Sequence, residues 1–265
     1  MESQEPRFQE RAETDPWETP RIYVGGTRAI FAGPGMALTP HKLAVATVLF
    51  GLDHSFRLEL MQSGQESVAR VGLIPPDTLH HLRTEGRMVF IYLDALSDDY
   101  EGLDLRVLAA ASRDIESIVD DLKTDITQDI AVLADMLSNR IELPQHEMID
   151  MRIAAAVRAI DAAPHEFTTI AQAAEIAEIS VPRFQHLFRD IVGTPFRRYR
   201  LWKRMASVAN SLSLGETLTN AALDAGFSSS AHLSSAFREM FGIKPSDLIA
   251  LKTEFFVNEV PNDLR

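Results

Sequence analysis

The chain has 265 residues, 46% of them apolar, no cysteine and a formal net charge of −12. That length gives one or two domains with a sizeable core; the missing cysteines exclude disulfides and thiolate chemistry and fit the cytoplasm; no stretch approaches the roughly 18 apolar residues of a membrane span, and no signal-peptide succession opens the chain. Residues 1–145 hold 13 basic and 24 acidic residues whereas residues 146–253 hold 12 and 11, which excludes a non-specific nucleic-acid coat but leaves room for a local basic face on the C-terminal half, since screening limits distant acids to about 8–10 Å.

Residues 1–20 are polar, charged and punctuated by proline, and predict a mobile leader. Residues 21–102 predict a β-domain. Short β-type runs at 21–24 and 29–32 are separated by Gly25-Gly26 and closed by the Gly-Pro-Gly at 33–35. Leu43–Phe50 (LAVATVLF) is apolar and β-branched, as a buried strand is. Phe56, Leu58 and Leu60 alternate with Arg57 and Glu59, the two-residue period of a half-buried strand. Further runs lie at 68–74, stopped by Pro75-Pro76, and at 89–93 (VFIYL). Many short strands between turn signals point to a small barrel or sandwich.

Residues 103–145 change period. Ile115, Ile118, Val119, Leu122, Ile126, Ile130, Leu133, Met136 and Leu137 recur at steps of three and four, with Asp114, Glu116, Asp120, Asp121, Asp125, Asp129 and Asp135 on the other face. Two readings stand side by side. One is a helix packed on its own β-domain; the other is a subunit interface at 114–137 that makes the protein a homodimer. Pro144 ends the run and marks the domain boundary.

Residues 146–253 predict helices throughout. Ile149, Ile153, Val157 and Ile160 share one face of a first helix, and Thr168 or Thr169 can cap the next. After Ser180, Phe184, Leu187, Phe188 and Ile191 fall at i, i+3, i+4 and i+7 and form a buried stripe. Pro182, Gln185, His186 and Arg189 fall at the same spacing on the free side. Glutamine pairs bidentately with adenine and arginine with guanine, so this side is either a base reader or an ordinary solvated face.

A second unit repeats the plan. A short helix around Leu218, Ala222 and Leu223 precedes Gly226-Phe227, where glycine gives a tight turn its backbone freedom. Then Leu233, Ala236, Phe237, Met240 and Phe241 point inward, Ala231, His232, Ser235 and Arg238 point outward, and Gly242 ends the helix. Between the units, Pro195–Ser213 predicts one helix of about 27 Å at ~1.5 Å per residue. That can hold two reading helices near one DNA turn, ~34 Å, apart. Arg197, Arg198, Arg200, Lys203 and Arg204 crowd its start and suit phosphate contacts, with Arg238 joining them from the second unit.

The motifs S-x-x-R-F-x-H-L-F-R (180–189), G-x-P-x-R-R-Y (193–199), L-W-x-R (201–204), A-A-x-x-A-G-F (221–227), A-H-L-S (231–234) and F-R-x-M-F-G-I-x-P (237–245) closely resemble the DNA-binding domain of the AraC/XylS family. The resemblance implies a seven-helix domain with two helix-turn-helix units that regulates transcription. It implies a base-facing set of Pro182, Gln185, His186 and Arg189, then Ser230, Ala231, His232 and Ser235. Against the family pattern, Glu178 stands where glycine is usual and Ala177 where leucine is usual. Ser235 replaces a frequent arginine, and Ser228-Ser229 a pair often acidic at its second position. The second unit is therefore expected to anchor more than to read.

The stretches TPHKLAVATVLFGLDHSFRLEL (39–60), GLIPPDTLHHL (72–82) and VFIYLDALSDD (89–99) resemble the cupin-like sensory domain of the same family. This implies a barrel that holds a small-molecule effector, mediates dimerisation, or both. Cupin metal sites use an H-x-H pair, a Glu and a later His. Here Leu43 stands two residues after His41, no Glu follows closely, and His80 fits the later position. His41 and His80 fall short of the three protein ligands of a catalytic metal, so no metal or other cofactor is expected. They read as hydrogen-bonded barrel positions or as the lining of an effector pocket.

The expected architecture is α+β and two-domain: an N-terminal cupin-like β-barrel with trailing helices, and a C-terminal all-α domain of two helix-turn-helix units joined by a long helix. Its segments are 1–20, 21–102, 103–145, 146–253 and a tail at 254–265 without a functional reading. The expected function is sequence-specific binding of double-stranded DNA to regulate transcription, without enzymatic activity and away from any membrane, with an effector and a second copy as partners. Two alternatives stand beside it. One is a cupin-type metal enzyme, weak on ligand count. The other is an interaction protein whose helix-turn-helix units have lost DNA, which the near-neutral C-terminal half keeps open.

Overall fold

The computed structural model describes residues 19–25, 28–94, 150–167 and 169–257. The leader up to residue 18 and the 103–145 segment, with its 114–137 interface reading, lie outside the described residues.

The N-terminal half forms β1 (Arg21–Gly25), β2 (Arg28–Pro34), β3 (His41–Lys42), β4 (Ala46–Gly51), β5 (Phe56–Leu60), β6 (Gln65–Ala69), β7 (Val71–Ile74), β8 (Leu79–Arg83) and β9 (Arg87–Leu93). A further strand, β10 (Glu254–Val257), comes from the other end of the chain. They make two sheets, ordered β10-β1-β2-β9-β4-β7 and β3-β8-β5-β6. β4 is buried at every position, because it sits between β9 and β7 with both faces covered. β5 alternates instead: Phe56 and Leu58 face inward and Arg57 faces water. Phe31, Leu49 and Phe90 of one sheet meet Phe56, Leu58 and Leu82 of the other in a shared apolar core.

The expected barrel is not closed. The two sheets share no hydrogen-bonded strand pair among the described residues. β7 runs into Pro75-Pro76, whose rings carry no N–H to extend a ladder. β3 is two residues long, and β6 is exposed over most of its length. The N-terminal half is therefore a sandwich of two open sheets.

The C-terminal half forms α1 (Met151–Ala162), α2 (Ile170–Ile176), α3 (Val181–Val192), α4 (Phe196–Ser213), α5 (Leu218–Asp224), α6 (Ser230–Phe241) and α7 (Pro245–Ala250). Local chemistry sets these bounds. The Ser229 hydroxyl accepts from the His232 N–H at 3.1 Å at the start of α6. Gly193 and Gly242, both left-handed, end α3 and α6. Phe184, Phe188 and Val192 bury one side of α3.

The two halves share one core. Ala44 and Val45 cluster with Ile160, Phe188, Trp202 and Met240 of the helices. β10 completes the joint by pairing in parallel with β1, Ile22 opposite Phe255, while Arg21 Nε lies 3.3 Å from Glu254 Oε2. Residues 254–257, given no functional reading from the sequence, are thus a strand of the N-terminal sheet.

Candidate nucleic-acid interface and an inter-half cavity

α2 and α3 form one helix-turn-helix unit, α5 and α6 the other, and α4 joins them. The two turns are built alike. In the second, Gly226 N–H donates to Leu223 O at 2.8 Å and Phe227 N–H to Ala222 O at 2.8 Å. In the first, Glu178 N–H donates to Glu175 O at 3.0 Å and Ile179 N–H to Ala174 O at 3.1 Å. Gly226 has φ +77° and Glu178 φ +53°, so glutamate holds a left-handed position that suits glycine.

On α3, Pro182, Gln185, His186 and Arg189 are all exposed. His186 Nε2 lies 3.2 Å from Asp190 Oδ2, one turn on. On α6, Ala231, His232 and Ser235 are exposed and Ser230 is partly so. Two of these polar groups are already engaged within the unit. The Ser235 hydroxyl donates to Ala231 O at 3.1 Å. His232 packs its ring edge-on to Phe227 and has Nδ1 3.0 Å from Ser228 Oγ.

The basic cluster of α4 is not a single surface. Arg197 is exposed, as is Arg238 on α6. Lys203 and Arg204 are buried, which corrects their reading as phosphate contacts. Lys203 Nζ lies 2.7 Å from Asp94 Oδ2 and 2.6 Å from Asp161 Oδ1. Burial alone would pull its ammonium down, but Asp94 and Asp161 outweigh that and hold it above the usual lysine value. Arg204 donates from Nε to Ala225 O at 2.7 Å and lies 3.8 Å over the Phe227 ring. Burial, with Arg200 second, draws it down to about 10. Arg200 donates to Phe167 O. Arg198 reaches Lys42 O at 3.1 Å, Asp77 at 3.3 Å and Glu239 at 3.1 Å. Four of the six basic residues therefore hold the protein together.

The Asp94 carboxylate is the hub of that joint. It directly follows β9, takes Lys203, and accepts from Tyr199 Oη at 2.8 and 2.9 Å. Burial first, then the Asp94 charge, push the Tyr199 phenol well above its ordinary value.

Between the halves lies a cavity of about 1040 Å³ of empty space, mouth included. Phe31 and Phe90 from the sheets, Trp202 and Met205 from α4, Phe241 from α6 and Leu248 from α7 wall it. His41 and His80 line it too. They face one another across the β3–β8 ladder, which places both side chains on one face of the sheet. Their Nε2 atoms are 3.1 Å apart. Among the described residues, no group of three or more His, Cys, Asp or Glu is placed to hold a metal ion. No helix among them is long and apolar enough to cross a membrane.

Residues 173–250 match the model of a helix-turn-helix domain family. The whole fold is similar to that of ToxT from Vibrio cholerae. The apo K231A variant superposes with a TM-score of 0.57 at 12% identity, over 85% of this chain and 98% of ToxT. ToxT bound to (E)-4-(8-methylnaphthalen-1-yl)but-3-enoic acid gives 0.55 at 11% identity, over 85% and 100%. Wild-type ToxT bound to an unsaturated fatty acid gives 0.52 at 13% identity, over 84% and 94%. No curated protein sequence matches the chain.

Proposed function

We propose that the chain is a DNA-binding transcription regulator of the AraC type, that α3 reads its target sequence, that α6 anchors the second unit, and that a small apolar molecule in the inter-half cavity controls how the two are presented. The observation that carries the first part is the exposed row Pro182, Gln185, His186 and Arg189 on one side of α3. Such a helix enters the major groove, where glutamine and arginine discriminate bases by about 1–3 kcal/mol per bidentate pair. On α6, the Ser235 hydroxyl and His232 Nδ1 are spent on their own unit, so backbone and phosphate contacts remain. Arg197 and Arg238 supply the phosphate contacts.

The effector reading rests on a cavity whose walls come from both halves. A ligand there touches the sheets and α4, α6 and α7 at once. It shifts the arrangement only by as much as it binds one arrangement more tightly. The ToxT structures of the same fold carry acids of this apolar kind, which supports the reading. The protein then acts in the cytoplasm, without catalysis, as a homodimer through the 114–137 stripe.

Selection of bound duplexes from a random DNA pool tests the proposal. The expected result is an enriched motif, with Gln185→Ala relaxing one part of it. Recovery of unenriched DNA would contradict it.

A further inference from the structure

The cavity's polar end carries a hydrogen-bonding conflict. His41 Nδ1 lies 2.8 Å from Thr39 O, and His80 Nδ1 lies 2.9 Å from Thr78 O. A carbonyl oxygen only accepts, so each Nδ1 carries its ring proton. When both rings are neutral, their Nε2 atoms are then two lone pairs facing each other at 3.1 Å. One added proton turns the clash into an N–H···N bond. It also creates a cation between side chains that are 4% and 1% exposed, beside apolar walls. Burial accordingly lowers both imidazoles, His80 to about 4, with the charge of His41 the next cause for His80. The neutral pair lacks a proton; the protonated pair lacks a counter-charge. An anion on the cavity side removes both deficits, since a buried charge is tolerated when paired.

We propose that His41 and His80 form the headgroup site for a monocarboxylate with an apolar body, captured together with one proton. This rests on the reading of the cavity as the effector site. The balance is simple: carboxylate, one proton from solvent and the neutral pair give a singly protonated pair beside a carboxylate, with no net charge added. The titratable and charged groups on the packed elements are Lys42 on β3, Asp77 before β8, His81 and Arg83 on β8, Glu59 and Arg57 opposite them on β5, Tyr92 in the cavity, and Arg238 and Glu239 on α6. Of these, His81 disfavours a further positive charge on both rings.

The site also touches the second reading helix. Thr39 donates to Gly242 O from its N–H at 2.9 Å and its hydroxyl at 3.0 Å. A Cβ on Gly242 would lie 2.6 Å from His41 Nδ1. The residue that ends α6 therefore rests on the ring that would hold the headgroup.

Calorimetric titration of the full chain with decanoate and with 1-decanol, in buffers of different ionisation heat, tests this. The expected result near pH 7.5 is about one proton taken up per decanoate and none per decanol, with decanoate affinity falling up to about tenfold per pH unit as pH rises. In His80→Gln, and independently in His41→Gln, the uptake and the preference for the acid collapse, with folding checked by circular dichroism. If the wild type takes acid and alcohol alike without proton uptake, the headgroup assignment fails and the cavity reading stands. If neither ligand binds, both fail. A stoichiometric metal ion in the purified protein, stripped by a chelator with loss of acid binding, would replace the proton and overturn the assignment.

Discussion

Asp77 Oδ2 lies 3.6 Å from a guanidinium nitrogen of Arg189, so the loop ahead of β8 holds a residue of the proposed reading face of α3. The same carboxylate meets Arg198 at 3.3 Å and Lys42 at 3.7 Å. On the proposed function, base reading by Arg189 requires that contact to open. The Arg189 side chain is 64% exposed and that of Asp77 16%, and surface ion pairs contribute about 0–1 kcal/mol. Asp77→Asn removes the charge and keeps a residue that tolerates the left-handed φ of +53° found there. DNA affinity, measured by fluorescence anisotropy, is expected to rise by up to about fivefold. An unchanged or weaker affinity would show that the contact does not restrain Arg189.

Glu178 holds a left-handed φ in the first helix-turn-helix turn, as Lys252 does after α7. A left-handed φ costs a non-glycine residue about 1 kcal/mol, and glycine adopts it freely. Glu178→Gly is expected to stabilise the protein by up to about 1 kcal/mol in urea unfolding, with the DNA motif unchanged.

The Asp94–Lys203 contact predicts a large effect from a small change. Asp94→Asn leaves a buried ammonium with only the half-exposed Asp161 as counter-charge. Breaking a buried pair from one side costs about 3 kcal/mol, or roughly 6–12 °C in melting temperature for a chain of this size. Adding Lys203→Met removes the stranded charge and is expected to recover part of the loss.

The buried histidines set a pH dependence. His80 titrates near 4 in the folded, ligand-free protein against 6.5 unfolded. The unfolded chain therefore binds more protons between those values, and stability falls as pH drops from about 6.5 to 4, then levels. At 1.36 kcal/mol per unit the share of His80 is at most about 3 kcal/mol. His80→Gln should flatten the stability profile in that window relative to the wild type, read from denaturant midpoints.

Local features were legible and distant ones were not. The faces of α3 and α6 follow from a 3.6-residue period within twelve residues and from Ser and Gly at their ends, so Gln185, His186 and His232 could be placed on open faces. The basic cluster of α4 misled because charge density is not exposure. Lys203 stands four residues after Tyr199 and seven after Phe196, on the stripe that α4 buries; that spacing was a readable signal. Nothing local marks Asp94 as its partner. The pairing of β10 with β1 joins the chain's two ends, and the meeting of His41 with His80 needs the β3–β8 register. Long-range pairing of this sort leaves no periodicity to read.

The most direct test of the account is the salt dependence of binding to a selected DNA site, measured for the wild type, Arg197→Ala and Arg238→Ala. Each true phosphate contact contributes about −0.9 to the slope of log affinity against log salt. The account predicts a steep wild-type slope and a loss of about one unit of slope in each variant, with the preferred sequence unchanged. A salt-independent affinity, or variants that keep the full slope, would contradict the placement of the DNA on this face.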